Sequence, residues 1–520
     1  MSDVVVIGAG HNALTAAFYL ARAGRRPLVL ERRAVVGGGA VTTELHPGFR
    51  CPTLSHEMLL DAGIVGDMHL RRRVELLPTP VHACALVPDG APVVLHDDVR
   101  RTAEDLRARS AKDGDAYPRF REIFERLASV LASTFDYVPP DVADPGAGDL
   151  WHLLQTGRRF RSLGRRDGHR LLQWLPMPVA DLLTDWFEHP ALQALLAGPG
   201  LSGTMLGPRS AGSTFVMLLR EAARQRAGGA LQARGGPGAL TAAMAQAATE
   251  AGAEIRTGVG VEQVLARGGR VTGVVADGRE IPVATVVSCA DPRTTLLRLL
   301  DPAHLDPEVA GMLRTYRAAG TLAKVNLAVS RLPAVAGVVA GAEGADALTG
   351  RIHVGRDLDC LERAFDHAKY GEMSEHPWLD IRIPSLADPS LAPVGAHVLS
   401  ICAHYAPRTL RAGDWQDARD TLLARVLGVL EPYLPGLSSQ VLAAEVITPA
   451  DLEADYGYAG GHVFHGELSL DQWLVGRPVP GLARYATPIE GLWLCGAGTH
   501  PGGFATGASG RLAARLLLSR

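Results

Sequence analysis

The chain has 520 residues, 47% of them hydrophobic and 21% charged, a globular balance with material for two to four domains. A net charge of −3 speaks against a general nucleic-acid binder, which carries a basic excess. Six cysteines, at positions 51, 84, 289, 360, 402 and 495, form no C-x-x-C pair and no His/Cys cluster of ligand spacing, so neither a redox dithiol nor a metal site is expected. Lysine occurs only at 112, 324 and 369, and the arginine bias reads as that of a GC-rich bacterial genome. No run of about 18 uncharged apolar residues is present, and the chain enters a strand by Val4 with no room for a leader. A reducing, cytoplasmic setting is expected.

Val4 to Ile7 is a β-branched run of the kind that forms a buried parallel strand. It opens into Gly8-Ala9-Gly10-His11-Asn12-Ala13, a helical stretch from Leu14 to Ala23, and a second strand from Pro27 to Leu30 that ends in Glu31. This is a G-x-G-x-x-A dinucleotide fingerprint with strand, helix and acid in register. Gly8 makes the tight turn and Gly10 admits a pyrophosphate. The first amides of the helix, at His11, Asn12 and Ala13, face that anion. Ala13 keeps helix and strand close, and Glu31 accepts from ribose hydroxyls. Arg32-Arg33 and the run Gly37-Gly38-Gly39-Ala40 follow. A second glycine run here resembles FAD proteins of the glutathione-reductase type, whereas a nicotinamide domain continues with another helix and strand. FAD is therefore the expected cofactor, with Arg32, Gly38, Gly39 and Ala40 at its site.

Pro139-Pro140 to Gly148 reads as a loop. Between 151 and 187, Arg158, Arg159, Arg161, Arg165 and Arg166 are interleaved with Trp151, Leu153, Leu154 and Phe160. That pattern suits a solvated helical face, or peripheral contact with a membrane, with Gly157, Gly164 and Gly168 interrupting any long amphipathic helix. Gly235 to Leu240 opens an alanine-rich helix to Ala251. The strands Val261 to Leu265, Val271 to Val275 and Val283 to Ser288 follow, with a turn at Asp277-Gly278. Near the end, Leu492 to Cys495 is a buried strand that enters Gly496-Ala497-Gly498-Thr499-His500-Pro501-Gly502-Gly503, and a helix runs from about Ala508 to Leu518.

With these segments the chain resembles the phytoene (carotenoid) desaturase superfamily, and within it the branch called pyridine nucleotide-disulfide oxidoreductase domain-containing protein 2. The stretches that carry the resemblance are GAGHNALTAAFYLARAG, VVSCADP (286–292), IPSLADPSLAPVGAHVLS (383–400), GGHVFHGELSLDQW (460–473) and TPIEGLWLCGAGTHPGG (487–503). The resemblance implies an α/β fold: a glutathione-reductase-like FAD-binding Rossmann domain, mostly parallel and discontinuous in sequence, with an interleaved mixed α+β substrate domain. The FAD domain takes 1–60, 230–292 and 480–520. The substrate domain takes 61–229, helical from about 100, and 293–479. Val261 then pairs its backbone with adenine, and Gly496, Ala497, Thr499, Gly503 and Ala505 hold the ribityl chain and ring. Ala497 stands where many relatives have an acid, so backbone amides must serve there.

The implied activity is FAD-dependent oxidation of a C–H bond to give a double bond, on an apolar or carrier-bound small molecule, with reoxidation by dioxygen, a quinone or a similar acceptor. An amine oxidase or isomerase on the same fold, and a non-catalytic FAD-binding chaperone, are the alternatives. Histidine is the natural base near neutral pH. His465 is the first candidate, then His462 and His56. His500 reads as shaping the turn beneath the flavin, and Arg477 with Asp471 as a structural pair.

Overall fold

Three apolar runs distant in sequence meet in one parallel sheet. In the computed structural model, which describes residues 2–55, 57–78, 81–88, 90–336 and 346–520, five strands lie in the spatial order Leu492–Leu494, Val286–Ser288, Val4–Ile7, Pro27–Glu31, Glu254–Thr257. Every neighbouring pair is parallel. Val4–Ile7 is buried along its length, which is why it reads as a continuous apolar run and not as an alternation. Helices His11–Arg22, Gly236–Glu250 and Ala508–Leu518 bury Ala13, Ala17, Met244 and Leu512 on one face of the sheet. The other face packs on an antiparallel sheet of Val261–Arg267, Arg270–Ala276 and Arg279–Pro282. Asp277 and Gly278 have φ of 49° and 67°, the left-handed pair that closes a two-residue hairpin. That hairpin takes residues 279–282, so the parallel strand starts at Val286, later than the apolar run suggests. The fold is the Rossmann-type α/β class that the sequence implies.

The remainder builds a helical layer and a seven-stranded mixed sheet. The helical core gathers Ala111–Ala132, Pro190–Leu201 and Ser213–Ala227 around Phe120, Phe124, Trp174 and Phe187, with the rings of Phe120 and Phe187 centred 5.1 Å apart. The sheet runs Val441–Ile447, Leu322–Val329, His397–His404, Leu379–Arg382, Arg351–Val354, Val81–Val87, Gly90–His96. Its last two strands precede the helices in the chain and were not among the expected elements. Ala83, Cys84, Ala85 and Leu86 are all buried, so no period-two alternation marks that strand.

The arginine-rich segment folds as helices Ala147–Ser162 and Gly164–Trp174, parted where Gly164 takes φ +76°. Gly157 and Gly168 sit inside those helices and interrupt neither, which corrects the expectation for them. The first helix buries no residue and rests on Tyr137, whose ring stacks on His152. Leu150, Trp151, Leu153 and Leu154 remain exposed.

Candidate functional site

At the carboxyl ends of the parallel strands lies a cavity of about 400 Å³, the position where open α/β sheets bind ligands. Gly8 turns with φ +88°, and its amide donates to the Leu30 carbonyl at 2.8 Å. The Glu31 carboxylate, at the end of the second strand, accepts from the Ala9 amide at 2.8 Å and from the Arg33 amide at 2.9 Å. These bonds tie the glycine turn to the acid, and both line the cavity. The amide of Gly37 donates to the Ala9 carbonyl at 2.8 Å, bringing the second glycine run back across the first. A Cβ on Gly38 would stand 3.3 Å from Gly10 Cα, and one on Gly39 only 2.5 Å from Tyr458 Oη. Glycine is required here by the close approach of backbone to backbone and to a fixed ring.

Of the residues expected to hold the cofactor, Gly8, Gly10, His11, Asn12 and Ala13 line this cavity, as do Glu31, Arg32 and Gly38 to Ala40. Val261, Gly496, Ala497, Gly503 and Ala505 close it from the other two segments. Arg32 also donates to the carbonyl of Asp455 at 2.5 Å. Thr499 does not line it. Its hydroxyl donates to the Gly496 carbonyl at 2.9 Å and lies 3.3 Å from the Gly496 amide, so it shapes the turn from behind. Phe504 and Ala505 hold φ of 66° and 54°; two successive left-handed non-glycine residues are local strain stored at the cavity wall.

The cavity suits FAD on its own features. At Gly8 and Gly10 the place of a Cβ is open, with no protein atom within 4 Å, and it faces the first turn of a helix. Asn12 Oδ1 is buried on that wall without a hydrogen-bond partner among the described residues, an acceptor left for a ligand. Glu31 stands at the strand end where a ribose would reach it.

At the other end the wall is mainly apolar, with Leu54, Leu59, Leu322, Val463, Phe464 and Phe504. None of these was foreseen, because an apolar residue facing a cavity reads in sequence like one facing the core. His465 lies on this wall. It is 9% exposed, with φ 54° and its ring 4.9 Å from that of Tyr458. Its Nδ1 is buried without a partner among the described residues. Burial, with His462 and Arg477 nearby, pushes the imidazole down to about 3. It is therefore neutral but weakly basic, which corrects the expectation of a base poised near pH 7. His462 is fully buried and off the cavity wall; its Nδ1 accepts from the Phe464 amide at 3.2 Å, and Glu467 stands 3.8 Å from its Nε2. It does not reach the space where a base would act. His56 lies outside the described residues.

Two neighbouring residues behave otherwise than the sequence implied. Asp471 pairs with Arg317 at 2.8 Å, not with Arg477. Arg477 is fully buried and donates to the carbonyls of Glu467, Phe464 and Ala497 at 2.8, 2.9 and 2.7 Å. His500, as expected, belongs to the turn: its Nε2 meets the Thr134 carbonyl at 2.8 Å, and its own carbonyl accepts from Tyr485 and Ser509.

Glu57, Tyr458 and Cys289, also on the wall, are held in their resting charge states. Burial pushes Glu57 up, but Arg220 and Arg382 outweigh it and bring the carboxyl down to about 2. Burial raises Tyr458 to about 12. Cys289 sits beside Cys495, and burial first, then that second thiol, keeps it well above the ordinary thiol range. Such a thiol is protonated and a poor nucleophile.

Comparison with known proteins agrees with this geometry. The family described as flavin containing amine oxidoreductase matches residues 187–518, and the NAD(P)-binding Rossmann-like domain matches 6–63. A rat protein, pyridine nucleotide-disulfide oxidoreductase domain-containing protein 2, is 37% identical across 99% of this chain and 93% of its own length. The phytoene dehydrogenase of Streptomyces griseus is 28% identical over 96% of this chain and 92% of that protein. Among solved structures, an oxidoreductase from Methanosarcina mazei has a TM-score of 0.60 at 18% identity and covers 100% of both chains, a likeness of fold. These relatives are mammalian as well as bacterial, so the bacterial origin read from the arginine bias draws no support from them. Sequence, fold and cradle converge: the chain belongs to the flavin-containing amine oxidoreductase family, a group of oxidoreductases, and its cofactor is FAD.

Proposed function

We propose that the protein is a dehydrogenase that oxidises a C–H bond of an apolar small molecule to a double bond, with dioxygen, a quinone or a similar small molecule as final acceptor. The observation that carries this is the apolar end of the cavity, where Leu54, Leu322, Phe464 and Phe504 surround a wall with no free carboxylate. Bound FAD supplies the hydride acceptor. The protein's part is to bind the substrate, exclude water and take one proton. Glycine turns and the Glu31 carboxylate fix the nucleotide, and the aromatic wall orients the reacting carbon. Loss of hydride leaves an electron-deficient carbon whose neighbouring C–H is strongly acidic, so a weak base suffices. His465, a neutral imidazole on that wall, is the residue proposed to take that proton.

The matched family is named for amines, which supports amine oxidation as a second reading. Against it, neither acid on the wall offers a charged amine a ready counter-ion. Glu31 is held by two amides, and Glu57 pairs with Arg220. The exposed Leu150, Trp151, Leu153 and Leu154, beside the exposed arginines at 158, 159, 161, 165 and 166, support peripheral contact with an anionic lipid surface, from which an apolar substrate would be drawn.

Anaerobic addition of a panel of isoprenoid hydrocarbons, amines and acyl compounds to the purified holoenzyme tests the reading. Bleaching of the flavin band by an isoprenoid or acyl compound is expected. Bleaching by amines alone would replace this reading with the second, and an unchanged band across the panel would favour a non-catalytic flavoprotein.

A further inference from the structure

A second cavity, of about 580 Å³, lies between the helical layer and the seven-stranded sheet, distinct from the one that holds the nucleotide turn. Its charged lining is Arg71, Arg121, Arg224 and Arg382 against Asp97 and Glu125. Arg71 and Asp97 are exposed. Arg121 bonds to Glu125 and stands 3.6 Å from Glu221, and Arg224 reaches Glu221 at 3.2 Å. These cations are compensated.

Arg382 is not. It is 4% exposed, and its Nε is buried without a hydrogen-bond partner among the described residues. Glu57 Oε1, its one ion-pair partner among the described residues, is 3.6 Å away, while the other oxygen of Glu57 bonds to Arg220. Asp380, the next acid along, is bonded to Arg351 at 2.6 Å. Three guanidinium groups, of Arg220, Arg351 and Arg382, thus share two carboxylates, and the surplus positive charge rests on Arg382 at the cavity wall. Gln232 lines the same cavity, and its Oε1 is buried without a partner among the described residues. Leu76, Leu77, Val99 and Tyr117 form an apolar patch on a wall that also carries His82 and His96. A buried charge with only one distant, shared partner is costly, and a ligand that pairs with it offsets that cost.

We propose that this cavity is a second ligand site, which takes a small organic molecule through an oxyanion, carboxylate or phosphate, held by Arg382. The site does not depend on the redox reading. A carboxylate suits the planar guanidinium as a two-point partner, and the patch of Leu76, Leu77, Val99 and Tyr117 accommodates a short chain behind it.

The test is calorimetric titration of the FAD-loaded protein at low salt with octanoate and, separately, with inorganic phosphate. Saturable one-to-one binding of at least one probe is expected, octanoate alone marking a carboxylate with a tail and phosphate alone marking a phosphate ligand. Arg382→Gln should weaken that binding at least tenfold, whereas Arg279→Gln, exposed and off this cavity, should change it less than twofold. Val99→Trp, which fills the cavity and leaves Arg382 in place, should abolish binding and serves if the first variant does not fold. Absence of saturable binding of both probes to the unaltered protein, or undiminished binding to folded Arg382→Gln or Val99→Trp, would overturn the proposal.

Discussion

Nη2 of Arg477 donates to the carbonyl of Ala497 at 2.7 Å. The same guanidinium reaches back to the carbonyls of Phe464 and Glu467. One fully buried cation therefore clamps the loop that carries His465 to the turn that closes the flavin cavity. Its partners are dipoles and not an acid, so the charge is distributed over several carbonyls.

Arg477→Lys is expected to lose this fork, since a lysine cannot present donors in several fixed directions. Stability should fall by about 3 kcal/mol or more, the usual cost of unsatisfied buried groups. FAD retention should fall with it. Chemical denaturation and flavin content of the purified variant check this; a variant with unchanged midpoint and full flavin would contradict it.

Gly10→Ala separates cradle from fold. Gly10 has φ −73°, which alanine adopts, and its Cβ would meet no protein atom within 4 Å. The variant should unfold at nearly the same temperature as the parent when both are stripped of flavin, yet bind FAD at least tenfold more weakly, because the methyl fills space meant for the nucleotide.

Glu31→Gln keeps the shape and removes the charge that accepts from the Ala9 and Arg33 amides. Hydrogen bonds to a charged group contribute about 1.5–3 kcal/mol, so FAD binding should weaken roughly tenfold to a hundredfold. Fluorescence of released flavin measures it. Equal affinity in the variant would mean that Glu31 only braces the turn.

Acid should destabilise the fold in a defined window. Burial, against the pull of Asp380, brings His353 down to about 3, and burial brings His500 down to about 4, both below the ordinary 6.5. As pH falls through about 6.5, the unfolded chain takes up these protons and the folded one does not. The stabilisation is whole above that pH and is lost towards the folded values, at up to ~1.4 kcal/mol per pH unit for each residue. Melting temperature should decline from pH 6.5 to 5, less steeply in His353→Gln. An identical slope in the variant would refute the assignment.

The helix Ala147–Ser162 is the place to test membrane contact. Replacing Leu150, Trp151 and Leu154 with serine should leave stability nearly unchanged, since none of them is buried. Co-sedimentation with anionic phospholipid vesicles should drop severalfold, and high salt should weaken it in the parent. Equal sedimentation of both proteins would exclude this helix as the contact.

Local patterns in the sequence determined the nucleotide half of this protein. Strand, glycine turn, helix and acid are contiguous from Val4 to Glu31, and each part is dictated by neighbours a few residues away, so spacing alone reveals a dinucleotide cradle. The terminal helix, Ala508–Leu518, is legible because a glycine-rich turn marks its start. Only tertiary structure decided the rest. Whether Leu322 or Phe504 faces a core or a cavity depends on elements hundreds of residues apart. His465 reads as a base near neutral pH until burial and its cationic neighbours are known, and Arg477 reads as an ion-pair partner until its carbonyls are counted. Solvation and charge are sums over everything packed around a group, and no window of sequence contains those sums.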